Sequence, residues 1–129
     1  MNLRPIASRL LPVLIALPAA VWAADPGVAS YRKLALNDVF FSEGATFGDL
    51  NNDGKPDAIS GPYWWEGPDF KVRHEYYPAL PWDPLRYSDN FFAFTHDFNG
   101  DGWNDILVLG FPGVDASWYQ NPGAKGGPW

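Results

Sequence analysis

One nine-residue motif that occurs twice constrains this chain more than any other feature. Asp49 to Asp57 reads DLNNDGKPD, and 48 residues later Asp97 to Asp105 reads DFNGDGWND. The correspondence extends beyond the motif: upstream FFSEGATFG matches YSDNFFAFTH, and downstream AISGPYWWEGP matches ILVLGFPGVDASWYQNP, six residues longer. A third match sets GPDFKVRHEYYP of the first copy against GAKGGPW of the second, where the sequence stops at Trp129. A chain built this way folds as repeated units, each too small to bury its own apolar face.

The unit is a β unit. Thirteen glycines and thirteen prolines punctuate the sequence every few positions and leave no room for a helix of ordinary length. Between them lie short runs rich in aromatic and β-branched residues, such as AISGPYWWEG, NFFAFTHDF and DILVLGF, which read as strands. Periods of about 40–50 residues holding several strands each are the mark of propeller-type blades. Propellers close with about four to eight blades, so two repeats leave aromatic faces open. The expectation is an all-β chain of two propeller-type blades forming an incomplete propeller, the N-terminal portion of a longer protein with further blades from the same chain. The spans are residues 40–86 for repeat 1 and 87–129 for a truncated repeat 2, after a lead-in over 24–39.

Residues 1–23 read as an export signal. Arg4 and Arg9 supply the positive start, LLPVLIALPAAV from Leu10 to Val21 the apolar core, and VWA the small-residue end. The apolar run is shorter than a membrane span and interrupted by Pro12 and Pro18, so no span is expected once the signal is removed. The protein is expected to be secreted, periplasmic or on the cell surface. There is no cysteine, so no disulfide staples the exported domain. Loss of Arg4 and Arg9 takes the formal charge from −6 to −8, which argues against nucleic acid as a partner.

Six of the fifteen acidic residues sit in the two repeated loops. In a loop written DxNxDGxxD the side-chain oxygens of positions 1, 3 and 5 converge, position 7 offers its carbonyl, and position 9 adds a carboxylate directly or through water. Asp49, Asn51, Asp53, Lys55 and Asp57 fill these roles in the first loop, and Asp97, Asn99, Asp101, Trp103 and Asp105 in the second. Gly54 and Gly102 stand where the chain must turn with positive φ. All donors are hard oxygens, and three carboxylates leave a formal −1 on the complex, which favours Ca²⁺, one ion per loop. Position 12, the bidentate Glu of a helical EF-hand, is Ser60 in one copy and Val108 in the other, so the scaffold is a strand hairpin. The bland alternative is a polar turn, since Asp, Asn and Gly gather in turns for backbone reasons alone. Two copies with the same acid spacing favour the metal.

These residues resemble the FG-GAP or VCBS-type repeat, also seen in the integrin α-chain propeller. The resemblance covers roughly Phe40 to Trp129 and rests on the paired loops, on WWEGP at Trp64 to Pro68 and on WYQNPG at Trp118 to Gly123. It implies a β-propeller whose calcium loops join neighbouring strands of a blade. The FG signature survives loosely as FGD at Phe47 to Asp49, and THD replaces it at Thr95 to Asp97.

The function expected is an exported calcium-binding module with a structural, adhesive or interaction role, not an enzyme, whose ligand is an unknown protein or glycan. Two alternatives stand beside it: a carbohydrate-binding propeller using Trp64, Trp65, Trp118 and Tyr119 as stacking faces, and the non-catalytic N-terminal part of a longer secreted enzyme. Large aromatics at a repeated position more often pack units together. His74 and His96 fall in different repeats, with no nucleophile turn nearby, and do not read as a catalytic pair.

Overall fold

The computed structural model describes residues 30–129, so the export-signal reading lies outside the described residues. One compact unit runs from Leu34 to Trp129. Its seven strands are antiparallel and form two sheets, and among the described residues the only helical element is a three-residue 3₁₀ turn, Gly123–Lys125. The first sheet holds β1 (Ala45–Gly48), β2 (Asp57–Ser60), β3 (Tyr63–Trp65) and β4 (Arg73–Glu75) in chain order. The second holds β5 (Phe92–His96), β6 (Asp105–Leu109) and β7 (Ala116–Tyr119).

Corresponding positions of the two motif segments pair in the same register. Gly48 faces Asp57 in the first sheet and His96 faces Asp105 in the second; Ala58 faces Trp65 where Ile106 faces Tyr119. Each motif loop connects the first two strands of its sheet. The six extra residues of the second copy fall in the β6–β7 hairpin, where the eight residues from Leu109 to Ala116 separate Val108 from its partner Ser117, against the two of the Gly61-Pro62 turn between Ser60 and Tyr63. That turn needs glycine: Gly61 has φ of 55°, and a Cβ there would lie 2.6 Å from that of Phe41. The long hairpin is closed by its own bonds, Val114 N–H to the Phe111 carbonyl at 2.8 Å and Gly110 N–H to Asp115 at 3.3 Å.

The third match does not yield a third pair of strands. GPDFKVRHEYYP supplies β4, whereas GAKGGPW makes the 3₁₀ turn and an irregular tail ending on Trp129. Three glycines and a proline in seven residues explain the difference, since neither type favours a strand interior.

The sheets face one another through opposite faces. In the first, Thr46, Ile59, Trp64 and His74 share a row across the four strands, and Ile59 and Trp64 are buried. The matching row of the second sheet is Phe94, Leu107 and Trp118, and there Phe94 and Trp118 are exposed. Burial has moved to the other face, to Ala93, Ile106 and Val108. One core of Leu50, Ile59, Trp64, Tyr76, Ile106 and Val108 therefore forms between the sheets, with Tyr77, Tyr119 and Trp129 packed against it. Strands β1 and β5 lead their sheets and lie side by side. Thr95 Oγ1 donates to the Phe47 carbonyl at 2.7 Å, and the approach is so close that a Cβ on Gly48 would stand 2.7 Å from that oxygen.

Candidate metal centre

Both motif loops sit at the same end of their sheets, between first and second strands, and fold with the same wiring. In the first loop Asp49 accepts the amides of Asp53 at 3.1 Å and Gly54 at 2.8 Å, Asn51 Oδ1 accepts Asp53 at 3.1 Å, and Asp53 accepts Lys55 at 2.9 Å. In the second Asp97 accepts Asp101 at 3.0 Å and Gly102 at 2.8 Å, Asn99 Oδ1 accepts Asp101 at 2.9 Å, and Asp101 accepts Trp103 at 2.9 Å. Gly54 and Gly102 take φ of 81° and 88°, which a side chain would strain. The local sequence dictates this shape: carboxylates and amides at alternate positions capture successive amides of a chain bending round them.

The position-9 aspartates do a different job. Asp57 and Asp105 are both fully buried. Asp57 accepts Leu50 N–H at 2.8 Å and Gly67 N–H at 2.9 Å; Asp105 accepts Phe98 N–H at 3.2 Å and Asn121 N–H at 2.8 Å. Each lashes the start of its loop to the end of the next hairpin, and the six-residue insertion between β6 and β7 leaves the bond in place. Burial pushes the Asp57 carboxyl up, the amides of Gly67 and Leu50 pull it down, and Asp49 and Asp53 push it up further, with a net rise. Asp97 goes the other way, held below the ordinary carboxylate range first by the Gly102 amide and then by those of Gly100 and Asp101.

The remaining expected ligands are at the surface. Lys55 is exposed, and its Nζ stands 3.3 Å from Asp53 Oδ2. In the second loop the equivalent oxygen of Asp101 accepts Asn99 Nδ2 at 2.9 Å. Trp103 is half-buried against the Gly123 turn. Among the described residues no three acidic or histidine side chains converge as a ready metal cluster. The donor set still suits a hard cation. A carboxylate offers about four lone-pair sites and an amide bond uses one, so Asp49, Asn51, Asp53 and their counterparts keep acceptor capacity in exposed loops.

The aromatics divide. Trp64 and Trp65 are 6% and 4% exposed. Trp64 stacks on His74 with ring centres 4.0 Å apart, and Trp65 packs edge-on to Tyr63, so neither offers a free face. Tyr119 is half-buried and stacked on Tyr77, which leaves Trp118 as the open ring of the four. His74 is committed to Glu66, with Nε2 and Oε1 2.7 Å apart, while His96 lies exposed in the other sheet against Phe98.

Three asparagines that the motif reading passed over join the loops. Asn52 Nδ2 donates to the Gly102 carbonyl, Asn104 Nδ2 to that of Asp49, and Asn121 Nδ2 to those of Leu50 and Asn104, all at 2.9 Å. The signal was present in the mismatches: Asn104 and Asn121 stand where the first repeat has Pro56 and Gly67. Comparison with family models, curated proteins and solved structures finds no match to this chain.

Proposed function

We propose that this chain is an exported module of two propeller-type blades of the FG-GAP or VCBS type, each holding one Ca²⁺ in its DxNxDGxxD loop, with a structural, adhesive or interaction role. The observation that carries the reading is the shared wiring of the two loops, maintained despite an insertion in one repeat. Turn propensity alone asks for no acid at positions 1, 5 and 9 in both copies. The opposed faces of the two sheets and the side-by-side β1 and β5 support the blade reading, because face-to-back stacking of equivalent sheets is how blades succeed one another. On this reading the row Phe94, Leu107 and Trp118 takes the back of a further blade of the same chain. Asp49, Asn51 and Asp53, with Asp97, Asn99 and Asp101, would hold the ions, aided by the carbonyls of Lys55 and Trp103. Asp57 and Asp105 would act mainly by fixing the loop ends. Calcium here supplies a charge that neutralises the clustered acids.

The carbohydrate alternative is weakened by the burial of Trp64 and Trp65, and we favour the structural reading. Calcium titrated calorimetrically into the chain is expected to fill two sites, with one lost in Asp53→Ala and the other in Asp101→Ala. A folded chain that takes up no calcium would sink the reading.

A further inference from the structure

The loops are physically joined. Asn121 donates its amide to Asp105 Oδ1 and its side-chain amide to the Leu50 carbonyl, and Leu50 donates its own amide to Asp57 Oδ2. An unbroken run of hydrogen bonds therefore links the buried aspartate of the second loop to that of the first. Asn104, bonded to Asn121 through its carbonyl, holds the Asp49 carbonyl. At the start of the loops the arrangement is one-sided, although Asn52 of the first loop reaches the second at its Gly102 carbonyl. Pro56 and Gly67 occupy the equivalent positions in the first repeat, and among the described residues no side chain donates to the carbonyls of Asp97 or Phe98.

We propose that the second repeat is part of the first loop's cation site, with Asn104 and Asn121 as positioning residues that set the Asp49–Leu50 backbone. This rests on the calcium reading above. Asp49 supplies the first ligand position, and its carboxylate can meet an ion only from the direction its backbone allows. Pinning that backbone from another sheet removes freedom the loop would otherwise lose on binding. The first ligand position of the first loop is thus held from outside, whereas the equivalent Asp97–Phe98 backbone of the second loop has no such partner among the described residues. The second loop is met from outside only at its far turn, where Asn52 donates to the Gly102 carbonyl. Both are assigned this role through the amide hydrogens they donate to backbone carbonyls, not as ligands.

Calcium calorimetry on the full chain in single-site backgrounds tests this. Asp101→Ala leaves the first loop as the only intact site, and Asp53→Ala leaves the second. Adding Asn104→Ala to Asp101→Ala is expected to raise the dissociation constant about tenfold or more, the scale on which partners of metal ligands act. Adding it to Asp53→Ala is expected to leave affinity unchanged. Far-UV circular dichroism in EDTA reports whether Asn104→Ala still folds. Should it not, the milder Asn104→Ser, whose side chain is too short to reach the Asp49 carbonyl, carries the same expectations in the two backgrounds. Equal weakening in both backgrounds, or none in either, overturns the proposal while leaving calcium binding intact. An unsubstituted folded chain that binds no calcium overturns both.

Discussion

Asp57 shows how one residue can be costly and necessary together. Its folded carboxyl sits above the ordinary value of 3.8, so it binds a proton more readily folded than unfolded. Its ionisation therefore opposes folding, an effect that grows as pH rises through the folded value and vanishes in acid. Yet the Leu50 and Gly67 amides need its oxygens. Asp57→Ala strands two buried donors, each worth about 1–3 kcal/mol. Asp57→Asn keeps one acceptor and removes the buried charge, so its loss is expected to be clearly smaller. Urea denaturation in EDTA separates the two, and equal losses would show that the amides do not depend on this acceptor. Tyr76 is the opposite case. Its hydroxyl is buried and, among the described residues, has no partner, and burial pushes its titration far above the ordinary tyrosine range. Tyr76→Phe keeps the ring packed against Tyr77 and Tyr119 and is expected to stabilise by about 1 kcal/mol. A loss of similar size in the same denaturation series would mean the hydroxyl is satisfied.

Among the elements, legibility followed the locality of the cause. The strands round each motif could be read because their signals are short-range: aromatic and β-branched runs, ended by Gly, Pro, Asn and Asp. The β6–β7 insertion was visible as a length difference, and it landed in a hairpin loop, where added length costs least. The loops were legible for the same reason, since a carboxylate at position 1 reaches amides four and five residues on without help from the rest of the fold. What could not be read was which face of each strand turns inward. Ile59 and Leu107 are equivalents in sequence, yet Ile59 is buried in the core and Leu107 only partly covered, because the neighbouring sheet decides. The fate of the tryptophans follows from that choice: Trp64 lies on the covered row and Trp118 on the open one. The asparagine bridges were not legible because they act between the two segments, and the local pattern of either segment carries no sign of what the other bonds to.

At the scale of the molecule, the shared core makes the two repeats one folding unit. Ile59 and Trp64 come from the first sheet, Ile106 and Val108 from the second, and neither pair is buried without the other. Such a unit unfolds in a single cooperative transition, and an ion bound to either loop stabilises all of it by mass action. With free calcium at about ten times the dissociation constant, each filled site adds about 1.4 kcal/mol, or roughly 6–10 °C in melting temperature for a domain of this size. EDTA is therefore expected to lower one melting transition. Asp53→Ala and Asp101→Ala should each remove part of the calcium-dependent increment from that same transition, followed by circular dichroism of the β signal. Two separable transitions, only one of which responds to Asp53→Ala, would show that the sheets melt independently. In that event the core between them could not be what holds the repeats together, and the asparagine bridges at the loop end would have to carry that role.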